Sequence, residues 1–212
     1  MSKNKRAIVS VTNDLYTDNR VDKICLFLAK QGYDVLLVGR KLKNSSPLQE
    51  RVYHTKRLRL FFEKGPFFYM EYNLRLFLFI LFKKCAVLVS NDLDTLLANY
   101  VVTQFKPSVR LVYDSHEIFT EVPELISRTF IQQIWECIER WIFPKLKTIY
   151  TVNQSIADYY NKKYGKTIHV VRNIAPQWHS DNIPSKQSLG IPEDTFLIIV
   201  QGAGTVSYTH LT

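Results

Sequence analysis

Two periods of hydrophobicity alternate along this chain. Ile8-Val9-Ser10-Val11 has the run of a short buried strand. Behind it Val21, Ile24, Cys25 and Leu28 recur at i, i+3, i+4 and i+7, one face of a helix that Gly32 closes. Tyr33 to Val38 is apolar at nearly every position, as a strand covered on both sheet faces must be. Residues 52–62 hold a further strand. After Gly65-Pro66 the stretch 67–84 (FFYMEYNLRLFLFILFKK) reads as an aromatic helix. Ala86 to Val89 is the next strand, and Asp92 caps a helix whose Leu93, Leu96, Leu97, Tyr100 and Val101 share a face. Val109 to Tyr113 follows as a strand. Ile131, Ile134, Trp135, Ile138 and Ile142 then form the stripe of one long helix ending near Pro144. Thr148 to Val152 is a strand, Asn153 and Gly165 cap the helix between them, and Ile168 to Val171 is the last strand of the series.

Strictly alternating strands and helices predict an α/β fold, a doubly wound parallel sheet joined by right-handed crossovers. Residues 1–172 read as one Rossmann-like domain and 173–192, with Pro176, Pro184, Pro192 and Gly190, as a linker. Residues 193–204 read as the first strand (Phe196 to Val200) and glycine turn of a second domain, which makes the chain look truncated. Residues 205–212 do not continue that pattern and are read as a non-native tail.

Composition narrows the class. Over 212 residues the chain is 46% hydrophobic and 13% aromatic, enough apolar material for a packed core and against disorder. Cys25, Cys85 and Cys137 are far apart in apolar segments, which favours buried thiols over bridges, and with no CxxC or CxxH pair a zinc site is not expected. The N-terminus lacks the apolar core of a secretory signal. The net charge of +9 is concentrated in 40–64, where eight basic side chains face only Glu50 and Glu63. Such a patch suits an anionic membrane surface or phosphate-bearing partner, or else a solvated face. No nucleic-acid reading motif accompanies it. Within the aromatic helix the uninterrupted apolar run, Leu76 to Phe82, is far shorter than the ~20 residues a membrane span needs. A core helix is therefore expected, with an interfacial helix beside the basic patch as the alternative.

In an open parallel sheet, ligands bind outside the carboxyl ends of the strands, so the loops after the strands are the candidate sites. After the first strand comes Thr12 to Arg20, polar throughout and without a GxGxxG fingerprint; Asp18 or Asn19 in it can cap the next helix. After the fourth comes Ser90-Asn91-Asp92-Leu93-Asp94. An Asp-x-Asp pair can hold a divalent cation beside a diphosphate. Asp92 as a cap and Asp94 in the first turn explain both without one, and that reading is preferred. After the fifth comes Tyr113-Asp114-Ser115-His116-Glu117. A histidine flanked by carboxylates can exchange a hydrogen bond or proton with a substrate hydroxyl, or can be a structural hydrogen-bonder.

The segments NDLYTDNRVDKICLFLAKQGYDVLLVGR, KGPFFYMEYNLRLFLF, SNDLDTLLANY, YDSHEIFTEVPEL and TVNQSIADYYNKKYG followed by VVRN resemble, in this order, the N-terminal acceptor-side domain of glycosyltransferase family 4, in a bacterial branch. The resemblance covers residues 6–204. It implies half of a GT-B architecture, two Rossmann-like domains across a cleft. It also implies retaining transfer of a hexosyl group from a nucleotide-sugar donor to an acceptor hydroxyl in polysaccharide or glycolipid synthesis of the cell envelope. No metal and no cofactor beyond the donor substrate is implied. His116 falls at the family's cleft histidine and would be catalytic. Asn13, Asp14, Asp18 and Arg20 of the first loop, with Glu117, would line the acceptor site, and Gly202 and Gly204 would approach the donor. The Glu-x7-Glu pattern of the second domain has no match here, and Arg172-Asn173 runs into Ile174 where the family has Asn-Gly. The partners implied are a nucleotide-sugar and a glycan or lipid-linked acceptor, met from the cytoplasm with peripheral contact to an anionic membrane. A non-catalytic α/β module binding an anionic surface or polymer is the alternative from another class.

Overall fold

A computed structural model describes residues 5–16, 18–174 and 183–198. The chain divides after Asn173 into two units. The first carries a sheet of seven parallel strands: β1 (Arg6–Asp14), β2 (Asp34–Lys41), β3 (His54–Arg59), β4 (Val87–Asn91), β5 (Arg110–Ser115), β6 (Thr148–Thr151) and β7 (His169–Val170). Their order, β3-β2-β1-β4-β5-β6-β7, reverses direction beside β1. The helices are α1 (Asn19–Lys30), α2 (Gly65–Leu81), α3 (Leu93–Phe105), the single turn α4 (Pro123–Ile126), α5 (Thr129–Ile142) and α6 (Gln154–Tyr164). The expected doubly wound α/β architecture is what the first unit shows.

Local chemistry explains most boundaries. The Asp18 carboxylate accepts a hydrogen bond from the Val21 amide and so caps α1, while Asn153 accepts from Ile156 and caps α6. Gly165 ends α6 in the left-handed conformation. Ile8, Val9, Leu37, Leu88 and Val89, from the central strands, are buried under both helical layers. Each such side chain contributes roughly 1.5–3 kcal/mol of hydrophobic stabilisation.

The stripe from Ile131 to Ile142 lies on the expected long helix, which starts at Thr129 after a 3-10 turn at Phe119–Glu121 and α4. The reading of the cysteines changes in part. Cys25 and Cys85 are buried, but Cys137 lies on the outer face of α5 and is exposed. In the second unit the described residues form a 3-10 turn, Gln187–Leu189, closed by left-handed Gly190. Of the expected strand Phe196 to Val200, residues 196–198 are in no strand among the described residues, while residues 199–200, Gly202, Gly204 and the tail 205–212 lie outside them.

Candidate active site

The reversal of strand order puts the carboxyl ends of β1, β4 and β5 around one hollow, where an open α/β sheet holds its ligands. A cleft of about 720 Å³ opens there. Of the residues expected at the acceptor site and for catalysis, Asn13, Asp18, Arg20, His116 and Glu117 all line it. Asp14 does not. It sits one position further along β1, where its carboxylate pairs with Arg57 at 3.1 Å and accepts from the Ser45 hydroxyl. Asp14 thus ties β1 to the β3 edge.

His116 is held by two acids. Its backbone amide donates to Asp92 Oδ1 at 3.0 Å, and its Nδ1 lies 2.9 Å from Asp92 Oδ2, close but off the line of a hydrogen bond. On the other side Nε2 is 3.8 Å from Asp114 Oδ2. Asp114 is fully buried, ion-paired to Arg20 and hydrogen-bonded by the Tyr150 hydroxyl at 2.8 Å. Burial, opposed by the Arg20 guanidinium, raises the Asp114 pKa to about 6. Arg20 is thereby committed to Asp114, and it braces the site more than it offers a free charge.

The structure corrects the reading of Asp92 as a helix cap. It occupies the position before α3, yet its side chain makes no capping hydrogen bond and is turned to His116 instead. The backbone has φ 57° and ψ 171°, the one positive φ among described non-glycine residues and a conformation that normally needs glycine. Strain of roughly 1–3 kcal/mol is therefore stored beside the histidine. Burial, with Asp94, Glu117 and Asp114 nearby, holds the Asp92 carboxyl well above the usual carboxylate range.

Asp94 also belongs to the cleft. It accepts from the Thr12 hydroxyl at 2.5 Å, and burial pushes its pKa up to about 7. Both members of the Asp-x-Asp pair are thus part of the site, through a histidine and a threonine. Among the described residues no cluster of His, Cys, Asp and Glu has the arrangement of a metal site.

Arg40 and Lys64 line the cleft without having been anticipated. Arg40 lies in β2 near its carboxyl end, so the rule that selected the other loops was available for it. Three buried polar atoms of cleft residues, Arg40 Nε, Asn91 Oδ1 and His116 Nδ1, have no hydrogen-bond partner among the described residues. Unsatisfied groups are costly in an interior and concentrate where a ligand completes them. Gly39 sets the shape of the first loop from below. A Cβ there would stand 2.6 Å from the Asn13 carbonyl oxygen and 2.4 Å from Leu15 Cδ2.

Residues 18–175 match the family described as Glycosyltransferase Family 4. No curated protein matches the sequence. Two solved chains of sucrose-phosphate synthase from Thermosynechococcus elongatus share the fold. One is 13% identical with a TM-score of 0.56, over 81% of this chain and 88% of that one. The other is 14% identical with a TM-score of 0.63, over 91% of this chain but only 54% of that one.

Proposed function

The chain belongs to Glycosyltransferase Family 4, and on that premise we propose that it forms the acceptor side of an enzyme that transfers a hexosyl group, with retention, from a nucleotide-sugar to an acceptor hydroxyl. The carrying observation is His116 at the strand-order reversal, its backbone amide anchored on Asp92, its ring lying between Asp92 and Asp114, and its Nε2 unengaged by any hydrogen bond among the described residues. An imidazole so placed can accept a hydrogen bond from a hydroxyl as it is drawn toward a sugar carbon, and can return one as charge develops. Asn13, Asn91, Asp94 and Glu117 suit the hydroxyls of a sugar. Donor phosphates would be held by a second domain facing this one, because transfer needs both reactants fixed in a closed cleft.

The reading is tested by incubating residues 1–212, and a chain continued through its downstream reading frame, with a panel of nucleotide-sugars. Transfer is expected from the longer chain alone. Robust transfer by residues 1–212 would overturn the division of labour, and none by either chain would overturn the function.

The proposed setting is the cytoplasmic face of a bacterial cell membrane, in cell-envelope polysaccharide or glycolipid synthesis. Among the described residues no helix is long and apolar enough to cross a membrane. A hollow of about 740 Å³ at the β3 edge is lined by Lys41, Lys56, Arg57, Arg59 and Arg75 with no carboxylate among its lining residues. Basic side chains contribute ~1 kcal/mol each at an anionic leaflet, less as salt rises. Co-sedimentation with anionic vesicles at low salt is expected for the wild type and lost in Lys56→Glu/Arg57→Glu/Arg59→Glu. A wild type that ignores anionic vesicles returns this edge to solvent.

A further inference from the structure

A helix laid on a sheet normally carries one apolar stripe, toward the core, and polar residues on its other side. Helices α2 and α5 depart from this. Each buries one face, with Phe68, Tyr72, Leu76 and Ile80 on α2 and Trp135 and Ile142 on α5. On the opposite face each carries a second apolar stripe. On α2 it is Phe67, Met70, Leu74, Phe77 and Leu81, spaced 3-4-3-4. On α5 it is Phe130, Ile134, Cys137 and Trp141, spaced 4-3-4. Alternating steps of three and four are how one helix meets another along its length.

The two stripes flank one groove. Met70, Leu74 and Phe77 from α2 and Ile134 from α5 line a hollow of about 520 Å³, and Leu97, Ala98 and Val101 of α3 help to complete its walls. Among the described residues no charged side chain lines it. Its one amide, Asn73, is used internally: the nitrogen donates to the Tyr69 and Asp94 carbonyls and the oxygen accepts from the Ala98 amide. Phe105, at the end of α3, extends the face and meets Phe77 with ring centres 6.0 Å apart. The stripes stand uncovered: Phe67 is 60% exposed, Met70 63%, Leu74 57%, Phe130 70%, Ile134 41% and Trp141 48%. Large apolar side chains present roughly 150–250 Å² each, so these six leave on the order of 600 Å² in water per copy. A stable interface takes about 800 Å² per partner with its polar rim included, and an uncovered apolar patch of this size marks an association surface.

We infer that the α2–α3–α5 face is a homodimer interface, in which the α2 and α5 stripes of two copies pack about a two-fold axis into one four-helix layer. The spacing selects a helical partner, because a bilayer asks for apolar breadth and not for alternating steps of three and four. The groove offers no cation to an anionic surface, and the residues suited to one, Lys56 and Arg59 among them, stand at the β3 edge instead. Being uncharged, the groove lets two copies meet without like-charge repulsion, although each chain carries a net +9. An isologous contact needs nothing beyond the patch itself. Each copy supplies two stripes and receives two, and the assembly closes at two copies.

Sedimentation of residues 1–212 over a range of concentrations tests this, with Cys137 as the local readout. Cys137 is the exposed thiol of the α5 stripe, while Cys25 and Cys85 are buried. The apparent mass should double as concentration rises, and maleimide labelling of Cys137 should slow in step. Leu74→Glu/Ile134→Glu should weaken the association at least ten-fold and restore fast labelling. Leu74→Gln/Ile134→Gln is the milder pair to use if a thermal melt shows the first to be unfolded. Val52→Glu, at an exposed apolar residue beside β3, should dimerise as the wild type does. A mass that stays at one chain would overturn the inference, as would growth past two copies or a dimer whose Cys137 labels at the monomer rate. So would unchanged association in a folded Leu74/Ile134 variant, or loss of the dimer in Val52→Glu. Cys137 protected in a longer natural chain that stays monomeric would assign the groove to the same polypeptide, and protection by vesicles alone would assign it to a membrane; either overturns the dimer. No sugar donor or turnover enters the measurement, so the transferase reading stands or falls separately.

Discussion

Two buried acid clusters in this domain have opposite characters. Glu139, fully buried on α5, accepts from Lys163 Nζ at 2.8 Å and the Tyr164 hydroxyl at 2.6 Å, with the Tyr160 hydroxyl at 3.5 Å from its other oxygen. Phe143 stacks on both tyrosines, with ring centres 4.5 Å away in each case. No hollow opens beside it among those described above. The Asp92–His116–Asp114 cluster, by contrast, has a strained backbone, an unaligned Nδ1 and a cleft in front of it. A carboxylate whose partners are complete holds elements together. One left incomplete beside a cavity is available for chemistry, and stability is given up to keep it so.

The contrast is broken most severely at Glu139. Glu139→Ala leaves an ammonium and a hydroxyl without their acceptor, and should lower stability by about 3 kcal/mol in urea unfolding. A loss below about 1 kcal/mol would remove the structural role. His116→Ala should do the opposite. In the chain that carries transfer, the rate should fall ~10²-fold or more, with unfolding little changed. An intact rate would return the histidine to a purely structural role.

Asp92→Gly sharpens the comparison because it separates strain from function. Glycine adopts this backbone freely, so stability should hold or rise by about 1 kcal/mol. Transfer should nevertheless fall nearly as far as in His116→Ala, since the backbone amide that positions the histidine loses its acceptor. A clear loss of stability in Asp92→Gly would show that the His116 contacts outweigh the strain.

The smallest effect is on pH dependence. Asp94 has a folded pKa of about 7 against roughly 3.9 unfolded. The folded state therefore holds its proton more tightly, and the associated stability is present below about pH 4 and lost as pH rises to 7. Asp114, raised to about 6, acts in the same sense. Asp94→Asn should flatten that decline. Parallel melting curves for the two proteins from pH 4 to 8 would show that burial there is not felt.

What could be read from the sequence was what neighbouring residues decide. The alternation of strands and helices, the caps at Asp18, Asn153 and Gly165, and the placing of His116 after a strand all follow from short-range periodicity and turn chemistry. Asp92 escaped that reading because its partner lies 24 residues away and meets it only through the β4–β5 pairing. Asp14 was drawn into the site by its neighbours Asn13 and Asp18, but it pairs with Arg57 across the β1–β2–β3 edge. The groove was hidden for a related reason. Periodicity marked the stripe of α5 and the aromatic run of α2, while which apolar face stays uncovered depends on how α2, α3 and α5 pack together.

Gly39 bears on how this domain could diverge. The first loop can meet a new acceptor by exchanging a side chain that faces the cleft, such as Asn13, while Thr12, Asp14, Asp18 and Arg20 are tied to Asp94, Arg57, the start of α1 and Asp114. Its course cannot follow as easily, because the Asn13 carbonyl rests where any other residue at 39 would place a carbon. Selection at position 39 therefore acts on the loop's path and hardly at all on its chemistry. Descendants with a side chain there should carry a compensating change at Leu15 or a different length between Thr12 and Asn19.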